Sequence, residues 1–314
     1  LVSLMTLMLV EEGKLQLVDP VGKYLPVFAH AKVSTGAGQT EPARRDATVQ
    51  DLLRHTAGLT YEFTGSDAVQ LQYEKVNITD RSRDNLEFCK VLASVPLASQ
   101  PGSCWQYSRA TDVLGALLEV VSGRTLGSLL QERIFAPLGM KDTAFCVPPS
   151  QWQRIAEPFA KCPDSGNAVV MMDGKEVPRF ESGGGGLLST AGDYTRFLQL
   201  MRHRGTLDGV RLLSRTTIAW MTSDHLGPIP ARGDLLLPAS TMGTEAMVAT
   251  GTRSRSARPP RRLTPRPRRS RASTCRSWRS WATARPRRGS RRLRPRARGP
   301  RAARPAPPAP PAAR

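Results

Sequence analysis

The residues whose types could carry chemistry are few: four histidines, five cysteines, one run of glycines and a long run of arginines. His30, His55, His203 and His225 stand at no ligand spacing, and Cys89, Cys104, Cys146, Cys162 and Cys275 are odd in number and far apart. That pattern argues against a disulfide framework, against Cys-x-x-Cys zinc sites and against a resident metal or other cofactor. His55 closes a short helical pattern in His55-Thr-Ala-Gly58 and is read as bonding within its own turn, since no Ser/His/Asp arrangement follows it. Gly183–Gly186 could pass for a phosphate loop, but no Lys-Ser/Thr follows. Tyr107, in Trp105-Gln-Tyr-Ser108, taken alone fits a partly buried tyrosine with its hydroxyl satisfied locally. Asn77-Ile-Thr79 matches a glycosylation sequon, which says little by itself.

The arginines are confined to one end. The 314 residues carry a net charge of +20, yet positions 251–314 hold 22 arginines, no lysine and no acid, leaving 24 bases against 26 acids in the first 250. The sequence therefore divides into a near-neutral body, 1–250, and a cationic tail, 251–314. The tail lacks Val, Ile, Phe, Tyr and Met altogether. It cannot bury enough apolar surface to offset its ordering entropy and is expected to be disordered. Its arginines could bind a phosphate backbone, with Trp278 and Trp281 stacking on bases. A GC-rich stretch translated out of register would also give mainly Arg, Pro, Ala, Gly and Ser. The abrupt switch between Met247 and Arg253 favours that second reading.

Any site in the body must be positioned by its apolar periodicity. Leu4, Leu7 and Met8 fit a mostly buried helix ending at Gly13. The chain starts inside this pattern without a methionine, which suggests a fragment. Its longest apolar stretch, Leu1–Val10, is about half the ~20 residues of a membrane-spanning helix. A Pro20 turn leads to the apolar run Val21–Phe28, and 29–47 reads as a loop. Thr48-Val-Gln-Asp51 resembles a capping box opening a helix through Arg54. Residues 60–84 carry mixed polar signals, followed by a helix over Asn85–Ala93. Val113, Leu114, Leu117, Leu118 and Val121 line one face of a helix over 110–121, closed by Gly123. A further helix over 126–135 ends at Pro137-Leu-Gly. Val169–Met172 and Glu176–Val177 flank Asp173-Gly174, a hairpin signal. Thr190-Ala-Gly-Asp193 opens a helix with Tyr194, Phe197, Leu198 and Met201 on one face, and Ser214–Thr222 is the last helix.

Five segments occur in a telling order: Leu7-Met-Leu-Val-Glu-Glu-Gly-Lys-Leu-Gln-Leu-Val-Asp-Pro20, Leu52-Leu-Arg-His-Thr-Ala-Gly-Leu59, Trp105-Gln-Tyr-Ser108, Ile134-Phe-Ala-Pro-Leu-Gly-Met140 and Gly183-Gly-Gly-Gly-Leu-Leu-Ser-Thr190. Together, over about residues 1–247, they resemble the serine β-lactamase-related family of class C β-lactamases, DD-peptidases and esterases. The resemblance implies an α+β, β-lactamase/transpeptidase-like fold, of which this chain holds mainly the helical domain with an incomplete antiparallel sheet. It also implies hydrolysis of a small ester or lactam through an acyl-enzyme. A Ser-x-x-Lys supplies the nucleophile there, a tyrosine the general base, and a late strand completes the oxyanion hole.

Carried over residue by residue, the family's tyrosine falls on Tyr107, and Tyr107-Ser108-Arg109 is closer to the esterase form than to Tyr-x-Asn. Ser108, Gly184 and Gly185 are expected to line the substrate pocket. Ser3-Leu-Met-Thr6 puts threonine where lysine is required, so Ser3 reads as an ordinary helix residue. The nucleophile motif belongs just ahead of Leu1 and the third motif beyond about residue 250, so the chain itself is expected to be inactive, with the Leu1–Glu12 helix poorly covered. The alternative is a non-catalytic binding protein that uses its basic tail on nucleic acid.

Overall fold

The structure is a computed structural model that describes residues 1–230 except 37, 66, 158, 163–165 and 169–173. The expectations for the cationic tail and for the Asp173-Gly174 hairpin lie outside these residues.

Helix α1 (Val2–Glu11) stands at the centre of the core. Val2, Leu4, Met5, Thr6, Leu7, Met8 and Leu9 are all buried, so the expectation of a poorly covered helix is corrected. The physical reason is its composition: it is apolar all round, and such a helix is stable only when enclosed. Thr6 is tolerated because its hydroxyl donates to the Val2 carbonyl within the helix, at 3.0 Å. Two 3-10 turns, Val21–Lys23 and Pro26–Phe28, take up the next apolar run. Residues 29–47 were expected to be a loop, but they form a hairpin of β1 (Lys32–Gly36) and β2 (Gln39–Pro42), antiparallel with Val33 opposite Glu41. β1 is seated on the body by Ser34 N to Leu97 O and Leu97 N to Lys32 O, both at 2.8 Å. Those two bonds link residues more than sixty positions apart, which local sequence signals do not reveal.

Helix α2 (Val49–Leu53) opens with the full capping box, Thr48 accepting from the Asp51 amide and Asp51 from the Thr48 amide. α3 (Ala68–Lys75) lies within the stretch whose polar signals gave no helix; Asp67 and Gln70 form a second capping box there. α4 (Asn85–Ala93) follows the sequence reading, capped by Asp84 and Glu87. α5 (Ala110–Ser122) is the long buried helix against which α1, α2 and α4 pack, and Gly123 closes it at φ +68°. α6 (Leu126–Leu130) continues through a π-helical turn, Gln131–Phe135, into α7 (Ala136–Leu138), ended by Gly139. α8 (Ala191–Arg202) starts at Thr190 as its capping residues indicated. Its burial differs from the expected face: Asp193 and Leu200 are buried, whereas Tyr194 and Leu198 are exposed. β3 (Thr206–Leu207), β4 (Val210–Arg211) and α9 (Arg215–Met221) complete the described chain. Among the described residues the named strands form two short antiparallel pairs, set beside a large helical layer.

Candidate active site

Tyr107 is placed by two segments laced backbone to backbone. Ala98 N donates to Gly58 O, Gly102 N to Thr56 O, Gln106 N to His55 O and Arg109 N to Thr60 O, at 2.7 to 3.3 Å. Gly58 makes the close approach possible: its φ is +83°, and a Cβ there would lie 2.2 Å from the Ser99 carbonyl oxygen. Below this ladder, Asp51 is fully buried and ties the turn down. Its carboxylate accepts from Arg45, Arg54, Thr48 and Thr56. Burial alone would raise that carboxyl, but the bonds from Arg45, Thr48, Arg54 and Thr56 outweigh it and hold the group well below the usual carboxylate range.

On this frame the side chains separate into outward and inward sets. Tyr107 is 42% exposed and projects at the surface, whereas Ser108 is 1% exposed. The Ser108 hydroxyl lies 3.1 Å from His55 Nδ1, across the ladder. His55 therefore bonds to a residue 53 positions away, and not within its own turn as expected. Its φ of +56° carries the chain out of α2. Burial pushes the imidazole down to about 4, against the pull of Asp112, so His55 is neutral at pH 7. Ser108 and His55 have the spacing of a nucleophile and base, but among the described residues Ser108 is enclosed, whereas it was expected to line the substrate pocket. Ser108 holds the histidine, and the histidine ring packs 5.2 Å from the Tyr107 ring.

Tyr61, Arg109 and Asp112 join the site without having been singled out as site residues in the sequence. The Tyr61 ring lies 4.9 Å from Tyr107 and stacks on Phe63 at 4.7 Å. The Arg109 guanidinium sits 4.8 Å from the Tyr61 ring centre and pairs with Glu62 at 2.5 Å. Burial pulls the Arg109 charge down, yet Glu62 and Asp112 more than restore it. Asp112, 1% exposed in the first turn of α5, accepts from Ser182 Oγ at 2.5 Å and from Gly184 N at 3.1 Å. An acid among Val113, Leu114 and Leu117 was the available signal, because a buried carboxylate in an apolar helix needs partners.

These bonds seat the glycine segment 182–186. A Cβ at Gly183 would come 2.4 Å from the Thr111 carbonyl oxygen, so only glycine lets the segment lie on α5. Gly184 and Gly185 are exposed, and the Gly184 Cβ position is 3.2 Å from the Tyr61 hydroxyl. The structure thus brings Tyr107 and the glycines to one face through Tyr61. The amides there are already used: Gly184 N by Asp112, Gly185 N by Ser182 Oγ at 3.2 Å, Gly186 N by Ser182 O at 3.0 Å. None of those three amides is free to hold an oxyanion. Among the described residues no group of His, Cys, Asp and Glu could hold a metal ion, and no single helix is long and apolar enough to cross a membrane.

The family model described as Beta-lactamase matches residues 1–235, and the chain belongs to that family, with its β-lactamase/transpeptidase-like fold. An uncharacterised protein of Mycobacterium tuberculosis, MT1414, is 36% identical over 224 residues, covering 69% of this chain and 55% of that protein. Esterase EstB of Burkholderia gladioli is 34% identical over 227 residues, 64% of this chain and 54% of the esterase. Among solved structures, simvastatin synthase LovD from Aspergillus terreus aligns with a TM-score of 0.59 and 27% identity, covering 73% of this chain and 57% of its own. The chain spans about half the length of the curated relatives it matches.

Proposed function

We propose that the chain is the larger, helical part of a serine hydrolase that works through an acyl-enzyme, with Tyr107 as the phenol that takes the nucleophile's proton. The observation that carries this reading is the placement of Tyr107: exposed, on a frame fixed by four backbone bonds, with its ring against Tyr61, whose hydroxyl lies next to the exposed Gly184. A hydroxyl becomes a competent nucleophile only when a positioned base accepts its proton. Gly184 and Gly185, exposed and without side chains, let substrate approach the backbone, while Ser108 acts by holding His55. An ester is the favoured substrate. Tyr107-Ser108-Arg109 has the esterase form, and EstB and the lovastatin esterase of Penicillium rubens are among the relatives. A peptide amide remains the second choice, from the D-alanyl-D-alanine carboxypeptidase/endopeptidase AmpH of Escherichia coli.

No Ser-x-x-Lys occurs in the 314 residues. The chain alone is therefore expected to stay unlabelled by a fluorescent fluorophosphonate, and clear labelling at any of its serines would overturn the reading. Joined in register to a Ser-x-x-Lys segment and to the late strand that completes the oxyanion hole, it should become labelled and cleave a p-nitrophenyl ester. Tyr107→Phe should slow that cleavage by roughly 10²–10⁴, the usual weight of a general base. An equal rate in the variant would remove Tyr107 from the mechanism.

A further inference from the structure

Around Tyr107 burial alternates along the chain. Cys104, Gln106 and Ser108 are buried, whereas Tyr107 is 42% exposed and Trp105 is partly exposed. Successive amides leave on opposite sides, Trp105 N to Pro230 O at 2.8 Å and Gln106 N to His55 O at 2.9 Å. An extended stretch of this kind puts Trp105 and Tyr107 on one face, their backbone origins about 7 Å apart. The His55 ring meets both, 6.2 Å from Trp105 and 5.2 Å from Tyr107. Beyond Tyr107 the contacts run on to Tyr61 at 4.9 Å and from there to Phe63 at 4.7 Å, so the rings form one unbroken row. Its two ends differ. Next to Phe63, Glu62 pairs with Arg109, whose guanidinium lies over the Tyr61 ring. Next to Trp105 stands His55, bonded to Ser108 and neutral at pH 7.

We propose that Trp105 and Tyr107 form a subsite for a flat, uncharged ring, so that the ester taken by this site carries an aromatic group. The inference rests on the proposed hydrolase, which puts the reacting bond at the Tyr107 hydroxyl and so brings the rest of the substrate within reach of Trp105. A ring laid against two rings that His55 already holds gains contact area and ring-to-ring attraction, and few side chains have to be ordered for it. An aliphatic group of the same size gains the area alone. A free carboxylate would be stripped of water against rings that offer it no charge, which is costly. The Phe63 end suits a flat apolar group less well, because Phe63 is stacked on Tyr61 at 25° and the Arg109–Glu62 pair stands beside it.

The test reads binding without turnover, so its failure is distinct from failure of the proposed hydrolysis, which the labelling and Tyr107→Phe measurements decide. Methyl para-fluorobenzoate is titrated with the 314-residue chain and followed by fluorine NMR. The chain should bind it, and methyl cyclohexanecarboxylate, of similar size but not flat, should compete at least about threefold more weakly. The para-fluorobenzoate ion, with the same ring and a charge, should also bind more weakly. Trp105→Leu keeps bulk without a ring and should weaken binding of the aromatic ester by roughly three- to tenfold, the weight of one ring contact. Trp105→Phe, which restores a ring, should recover most of that loss, and Phe63→Leu should leave binding unchanged. The comparison of the three ligands on the unaltered chain stands even where a variant folds poorly. Preference for the cyclohexyl ester, equal binding by Trp105→Leu, or a loss confined to Phe63→Leu would overturn the proposal.

Discussion

His55 shows how one residue's setting decides its role. Enclosed between Ser108, Trp105 and Tyr107, it is held neutral, with its titration pushed down to about 4 by burial. In the unfolded chain it would protonate near the ordinary histidine value of about 6.5. The unfolded state thus binds the extra proton between those two values, and stability falls as pH drops from about 6.5 towards 4. The loss should be about 2 kcal/mol, read by urea unfolding at pH 7 and pH 4.5, and His55→Gln should flatten it. A dependence unchanged in that variant would show that the proton goes elsewhere. Gly58→Ala should cost more than an ordinary surface change, about 2–4 kcal/mol, since it must lose a left-handed φ and clear the Ser99 carbonyl.

At the level of elements, the last turn of α5 carries an acid whose titration runs the opposite way. Burial raises Glu119 to about 7, offset in part by the Leu126 amide it accepts, with Glu181 and Asp84 adding to the rise. Its folded form binds a proton that the unfolded chain releases, so this group weakens the fold as pH rises from about 4.5 through 7. Glu119→Gln keeps an acceptor for Leu126 without the charge. It should raise stability by about 1 kcal/mol at pH 8 and do little at pH 5, measured by denaturant unfolding at both. The central helix α1 has no such freedom: Leu4→Ala should cost about 3 kcal/mol, because a fully buried leucine leaves a cavity. A cost below about 1 kcal/mol would contradict its enclosed position.

For the whole molecule, charge separates the two regions more sharply than any other property. The complete chain should be retained by a cation exchanger at pH 7, and residues 1–250 alone should pass through, because they hold 24 bases and 26 acids. Retention of both would place the binding charge in the body. Much of the body was legible from its sequence because its signals are local. The capping box at Thr48, the helix over 85–93, the apolar face ended by Gly123, and the Thr190 and Ser214 starts each lie within one helix. The five segments that resemble the β-lactamase-related family singled out Tyr107 and the glycine run as candidates in the same way. The enclosure of α1, the seating of β1 on Leu97, the pairing of Ser108 with His55 and the meeting of Tyr61, Asp112 and Gly184 were decided by tertiary structure alone. Each depends on residues tens to more than a hundred positions apart, brought together by burial of a shared core, and no spacing rule along the chain encodes such a meeting.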